Sequence, residues 1–193
     1  VLAPGIKECA PARLVEEVLK LLRSGDSARC FDLLLETNVL SEILPELVLR
    51  AKQMPIDKPS WKYLRQADQS LLNGNHLSDA TMLSALIYPF VCHLFDEGGN
   101  VVPKLEAEFK KLFFPIKFTK RQLSRVRQIL LAQRRLSHQP RSSKNSRILD
   151  REYAADALDF KEIISQNSDD RKLLKEWLSA FAKRRSSGKK YYK

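Results

Sequence analysis

The chain has 193 residues, of which 44% are hydrophobic and 30% are charged, a composition typical of globular proteins and not of disordered ones. Its 34 Lys and Arg outnumber its 23 Asp and Glu, so the formal net charge is +11. This excess indicates a polyanionic partner, either nucleic acid or acidic lipid. All of it lies after residue 110, because residues 1–110 carry 12 basic and 15 acidic side chains.

Cysteine usage and the longest apolar run exclude two further classes. The three cysteines are far apart and form no CxxC pair, which argues against a disulfide framework or a zinc site and favours a reducing, cytoplasmic location. The longest apolar run, residues 82–95, is too short to span a bilayer, so no membrane span is predicted, and we expect no membrane partner. The chain starts with Val1 and not with methionine, and we expect it to be a piece of a longer protein.

Helical periodicity begins at Pro11, and the first helix is predicted to end before Gly25. Asp26 is expected to cap the next helix, which leads into a shorter one broken near Pro45. These elements predict a helical hairpin at the start of the chain.

Further helices are predicted in the middle of the chain, after a Pro-rich loop. A helix is predicted at 61–72, and Ser78 is expected to cap a very apolar helix that Pro89 should kink or shorten. Pro103 is expected to open the helix that follows.

Residues 119–136, TKRQLSRVRQILLAQRRL, predict an amphipathic helix whose Thr119 and Gln122 have the spacing of a capping box. A basic loop, PRSSKNSR, follows, and helical periodicity resumes at 148–165. Ser168 is expected to cap the last helix.

No segment shows the alternation of a β-strand. The predicted fold is therefore all-α, an irregular multi-helix array of helix-turn-helix units without a sheet. We expect a helical body at 1–118, a basic helical region at 119–183 that is packed on it and binds nucleic acid, and a flexible basic tail at 184–193.

The helix at 119–136 separates its side chains into two faces. At 100° per residue, Leu123, Val126 and Ile129 fall on one side and most basic residues on the other, without interleaved acids along the helix. Arginine predominates, and its planar fork suits phosphate. The predicted nucleic-acid contacts are Lys120, Arg121, Arg125, Arg127, Arg134, Arg135, Arg141, Lys144, Arg147 and Arg151, with Lys183, Arg184, Arg185, Lys189 and Lys190 near the C-terminus.

Two other interpretations of this face remain open. A charge run is often only the solvated side of a core helix, and a basic amphipathic helix can also lie on a membrane surface. A free-standing helical adaptor that docks an acidic protein or nucleic acid is the alternative function.

Catalytic and metal-binding motifs are missing from the sequence. It contains no P-loop, no GxGxxG, no nucleophile elbow and no HExxH, and its three histidines are isolated. We therefore assign no catalytic residue, no metal ligand and no cofactor to these residues, which leaves open whether the chain is part of an enzyme.

Four blocks resemble, in order, the C-terminal helical region of bacterial-type poly(A) polymerases and of the related class II tRNA nucleotidyltransferases, the CCA-adding enzymes. The blocks are ARLVEEVLKLLRSGDSARCFDLLLETNVLSEILPEL (12–47), LSDATMLSALIYP (77–89), FTKRQLSRVRQILLAQRRL (118–136) and ILDREYAADALDFKEI (148–163).

In that family an N-terminal head uses ATP and Mg²⁺ to add nucleotides to an RNA 3′ end. The resemblance implies that this chain is the non-catalytic part that holds an mRNA 3′ end, a poly(A) tail or a tRNA. Its partners would be that RNA and the N-terminal catalytic domain of the same protein.

Overall fold

Ten α-helices and two 3-10 helices form the described part of the protein, residues 10–55, 61–97, 99–140 and 146–188 of a computed structural model. No strand occurs in these ranges, so the prediction of an all-α fold is confirmed. The helices are α1 (Pro11–Leu22), α2 (Ser27–Glu36), α3 (Val39–Ile43), α4 (Pro45–Gln53), α5 (Lys62–Leu72), α6 (Asp79–Val91), α7 (Val101–Leu112), α8 (Lys120–Leu136), α9 (Ala154–Ile164) and α10 (Ser168–Gly188), with 3-10 helices at Cys92–Phe95 and Arg147–Asp150.

The start of α2 differs from the prediction. Asp26 precedes the helix but its side chain makes no capping hydrogen bond. The buried Asp68 carboxylate of α5 instead accepts hydrogen bonds from the backbone N–H groups of Ser27, at 3.0 Å, and Ala28, at 2.9 Å. The prediction of Asp26 as the cap is wrong because a carboxylate distant in sequence already satisfies these donors.

Helix α6 is the centre of the fold, and α1, α5, α7, α8 and α9 all pack against it. Its residues 80–87 are all buried, as expected for a helix that is apolar on every side. The Ser78 hydroxyl accepts a hydrogen bond from the Thr81 N–H at 3.1 Å, which confirms the predicted cap. The α-helix ends two residues after Pro89 and tightens into the 3-10 helix, in line with the predicted shortening.

Two helices begin at residues other than those predicted. Helix α7 starts before Pro103, because the Asn100 side chain accepts a hydrogen bond from the Val102 N–H at 3.2 Å. At α10 the cap is Asn167, whose side chain accepts from the Asp170 N–H at 2.7 Å, and Ser168 is the first helical residue. An Asn supplies the side-chain acceptor at both helix starts, in place of the predicted Ser168 cap at α10 and three residues before the predicted first residue Pro103 at α7.

The segment before α9 and the C-terminal end of α10 also differ from expectation. Residues 147–150 form a 3-10 helix and α9 starts at Ala154, so the periodicity from 148 onward is not one helix. Helix α10 continues to Gly188, so residues 184–188 are helical and not the flexible tail expected from residue 184. The Arg184 guanidinium holds this last part through two bonds to Asp150, at 2.6 and 2.7 Å.

The buried side chains form two clusters, and α8 contributes to both. Val126, Ile129 and Leu130 belong to the larger cluster, which contains α6 and most of the N-terminal helices. Leu136 belongs to the smaller one, together with Trp177 of α10. Helix α8 is therefore fixed along its length, which gives its outward side chains a rigid base.

Candidate nucleic-acid interface

The N-terminus of α8 is specified by its own sequence. The Thr119 hydroxyl accepts a hydrogen bond from the Gln122 N–H at 3.2 Å, and the Gln122 side-chain oxygen accepts from the Thr119 N–H at 2.9 Å. The predicted capping box is confirmed.

The inward face of α8 is buried as predicted, with Val126, Ile129 and Leu130 fully inaccessible. Burying each such side chain contributes about 1.5–3 kcal/mol, whereas a like-charge pair on a helix surface costs only about 0.2–0.5 kcal/mol. The basic face therefore needs no bound anion for α8 to fold. Its charge excess is free to serve another role.

Two arginines on the outward face have acidic partners, contrary to the expectation that this face lacks them. Arg127 donates to the Glu106 carboxylate of α7. Arg125 lies 3.5 Å from the Asp156 carboxylate and 3.9 Å from that of Glu152. Both arginines are partly buried, and their partners come from other elements, so the absence of acids along α8 itself did not reveal them.

Four other cations of α8 are exposed and have no ion pair within the described ranges. They lie at opposite ends of the helix, Lys120 and Arg121 at the N-terminus and Arg134 and Arg135 at the C-terminus. The two ends are about 20 Å apart at 1.5 Å per residue. The paired Arg125 and Arg127 therefore divide the predicted basic face into two separate groups of exposed cations.

Arginine in the last turn of a helix has a structural use as well. Arg134 and Arg135 lie where cations interact favourably with the helix dipole, an effect of about 0.3–1 kcal/mol. Such a small term leaves their guanidinium groups available for phosphate oxygens.

A hydrogen bond joins the segment that follows α8 to α10. The indole N–H of the fully buried Trp177 donates to the His138 carbonyl oxygen at 2.9 Å. This bond fixes the position of α10 relative to the residues that follow Arg135.

A groove of about 630 Å³ runs along α10 next to Pro140. Three lysines on one face of the helix line it, Lys172, Lys175 and Lys183. Lys183 is among the predicted contacts and the other two are not, although the spacing of residues 172, 175, 179 and 183 places all three lysines with Ser179 on one helical face. The groove also contains one carboxylate, that of Glu176.

The remaining predicted contacts are dispersed. Arg147 and Arg151 are exposed, without an ion pair among the residues described here. Arg184 is committed to Asp150, and the Arg185 guanidinium lies over the Phe181 ring at 5.0 Å. Four further predicted contacts lie outside the described residues: Arg141, Lys144, Lys189 and Lys190.

The described ranges contain neither a metal-binding cluster nor a membrane-spanning helix. There, no group of three or more His, Cys, Asp or Glu side chains is placed to hold a metal ion. Among the same residues, no helix combines the length and the apolar character needed to cross a membrane.

Residues 1–49 match the sequence model of a family described as the probable RNA and SrmB-binding site of polymerase A. The match supports a poly(A) polymerase-related RNA-binding region there, and it covers about a quarter of the chain. None of the curated protein sequences compared with the chain matches it. The matched segment contains none of the predicted RNA contacts. It carries five basic and eight acidic side chains, so an excess of positive charge could not reveal an RNA-binding region there.

Proposed function

We propose that this chain is the RNA-binding, non-catalytic part of a template-independent RNA nucleotidyltransferase of the poly(A) polymerase type. It would hold RNA while a catalytic head outside these 193 residues, supplied with ATP and Mg²⁺, extends the 3′ end. The observation that carries the proposal is the set of exposed cations mounted on two packed helices, Arg134 and Arg135 on α8 and three lysines on α10. The match of residues 1–49 supports RNA as the partner.

The proposed contacts are to phosphates and not to base edges. Arginine forks and lysine ammonium groups on a rigid surface neutralise backbone charge without reading sequence. Such a surface suits an enzyme part that must accept successive positions of a growing tail. The reduced thiols of Cys30 and Cys92 fit the reducing cytoplasm, where we place the protein.

The acidic N-terminal helices need a different role. Their net negative charge repels phosphate, so we assign the main phosphate contacts to α8 and α10, while residues 1–49, which match an RNA-binding site, would contact the RNA at fewer points. The matching family's description also includes SrmB binding, and an acidic helical surface suits a protein partner better than an RNA backbone.

Salt titration of RNA binding tests this proposal. We expect a single-stranded RNA to bind with an affinity that falls as salt rises, with a logarithmic slope of about −0.7 for each phosphate neutralised. The variant Arg134→Gln/Arg135→Gln should bind more weakly and show a shallower slope. Fluorescence anisotropy with labelled RNA measures both quantities.

The matched control is Arg13→Gln/Arg29→Gln. It removes the same charge from two exposed arginines of α1 and α2 that have no ion pair in the described part of the chain. We expect this control to bind RNA almost as the unaltered protein does. A larger loss in the control than in Arg134→Gln/Arg135→Gln would move the RNA to the N-terminal helices, and equal losses would mean that only net charge matters, against the assigned surface. Salt-insensitive or absent binding would favour the adaptor.

A second assay addresses catalysis. Incubated with ATP, Mg²⁺ and RNA, the 193-residue chain is expected to leave the RNA 3′ end unextended. Extension would instead show that the enzyme is complete within these residues.

A further inference from the structure

A cleft of about 320 Å³ lies beside Arg134, where the 3-10 helix after α6 meets α8 and α9. Its wall contains two aromatic side chains, Tyr88 of α6 and Phe95 of the 3-10 helix that follows. Two basic side chains also line it, Arg134 of α8 and Lys161 of α9. Its volume is at the lower end of the roughly 300–1,000 Å³ of small-molecule sites, a size that suits one nucleotide.

The two aromatic rings differ in how they are held. Tyr88 makes edge contacts with Tyr63, at 5.2 Å between ring centroids, and with Phe160, at 5.3 Å. Burial raises the pKa of the Tyr88 phenol, so its hydroxyl stays protonated and can donate a hydrogen bond. Phe95 is half-buried and forms no ring pair in the described residues, which leaves an aromatic surface for another ring.

The charges of the cleft favour a phosphate at one side only. Lys161 is nearly buried, and its ammonium group donates to the Asp170 carboxylate at 3.0 Å, so its charge is already neutralised. Arg134 is exposed and has no ion pair in the described ranges. The exposed carboxylate of Asp96 repels phosphate from its own part of the rim.

Gln133 provides an independent observation in the same wall. Its side-chain N–H group donates to the backbone oxygens of Ile129, at 3.0 Å, and Ala157, at 3.1 Å. Its side-chain oxygen is buried and has no hydrogen-bond partner among the described residues. An unsatisfied buried amide oxygen is costly, and because this oxygen has almost no exposed surface, a donor that enters from the cleft reaches it only after a small shift of the wall.

We propose that this cleft binds one nucleotide of the RNA, with the base against Phe95 and the adjacent phosphate on Arg134. The inference rests on the proposed function and adds to it a contact that requires a base of any kind. Because every base has an aromatic face, such a contact strengthens binding without selecting a sequence.

The test compares two single strands of equal length, an oligoadenylate and an abasic ribose-phosphate strand. Both present the same phosphates, but only the first presents bases. We expect the 193-residue chain to bind the oligoadenylate about tenfold more tightly than the abasic strand, the size of effect that stacking of one base provides.

Phe95→Leu keeps apolar volume but removes the aromatic ring. In this variant the preference for the oligoadenylate should disappear, while the affinity for the abasic strand stays the same. The matched control is Phe114→Leu, which removes a ring that is 67% exposed between α7 and α8 and does not line the cleft. This control should keep the full preference.

A second experiment uses the unaltered protein and therefore does not require Phe95→Leu to fold. Ultraviolet cross-linking to RNA followed by peptide mapping should join bases to the peptide that contains Tyr88 and Phe95. Cross-links confined to other peptides would overturn the inference.

The binding data separate the two proposals. Equal affinity for both strands in the unaltered protein, or an unchanged preference in Phe95→Leu, would overturn the base site and leave the phosphate surface standing. Absence of binding to either strand would overturn the proposed function and the base site together.

Discussion

Asp68 caps α2 at Ser27 across 41 residues of sequence. Its carboxylate accepts from the Ser27 N–H at 3.0 Å and from the Ser27 hydroxyl at 2.7 Å. The second carboxylate oxygen accepts from the Ala28 N–H at 2.9 Å. One buried side chain therefore satisfies two of the free donors of α2 and fixes α5 against its N-terminus.

Asp68→Ala is expected to lower the free energy of unfolding by about 2–4 kcal/mol, because buried donors lose their charged acceptor. Urea denaturation followed by circular dichroism measures the change. The control is Asp26→Ala, which alters the residue beside α2 whose side chain makes no cap bond. It should cost less than about 1 kcal/mol, and a larger cost than that of Asp68→Ala would contradict the cap described here.

The paired and unpaired arginines of α8 should contribute differently to RNA binding. Arg134→Gln removes an exposed guanidinium without an ion pair in the described ranges, and we expect it to weaken RNA binding about threefold. Arg127→Gln removes a guanidinium already engaged by Glu106 and should change the affinity less than twofold. Anisotropy titrations at one fixed salt concentration compare the two. A larger loss in Arg127→Gln would mean that RNA displaces the Glu106 contact.

Stability should depend on pH through Asp159 of α9. Burial, together with the neighbouring carboxylates of Asp156 and Glu162, raises the pKa of Asp159 from 3.8 to about 6. Between these values the folded chain binds more protons than the unfolded chain, so this residue makes stability fall as pH rises from about 4 to 6. Above pH 6 the carboxylate is ionised in both the folded and the unfolded chain, and the destabilisation of the folded chain by this charge is then complete.

Asp159→Asn removes this titration. The variant is expected to be more stable than the unaltered protein at pH 8, by about 1 kcal/mol after allowance for solvent screening. The difference should nearly vanish at pH 4, where Asp159 is protonated in the folded state. Thermal unfolding at both pH values measures it, and an equal difference at the two would show that the effect is not ionisation.

Trp177 should determine the local stability of the smaller hydrophobic cluster. Trp177→Phe keeps an aromatic ring but leaves the His138 carbonyl without its indole donor, at a cost of about 1–3 kcal/mol. Because the loss is local, amide hydrogen exchange should accelerate in α10 more than in α6.

Trp61→Phe is the comparison for this prediction, since Trp61 lies in the larger cluster, with ring centroids 5.3 Å from Phe31 and 6.3 Å from Phe90. It should accelerate exchange in α6. The same exchange pattern in both variants would mean that the two clusters open as a single unit.

The sequence by itself determined what depends on near neighbours. The capping box joins Thr119 to Gln122, three residues apart, and the two faces of α8 follow from helical spacing alone. The all-α fold and the Ser78 cap were predictable for the same reason. Local hydrogen bonds and helix periodicity act over a few residues, and a single sequence displays both.

Only the tertiary structure decided which polar groups meet. Glu106, 21 residues before Arg127, and Asp68, 41 residues after Ser27, reach their partners because helix packing brings distant segments together. The sequence shows which charges exist but not which of them neutralise one another. Packing therefore divided one basic face into paired and free arginines, and it placed Arg134 beside an aromatic cleft formed by three separate segments.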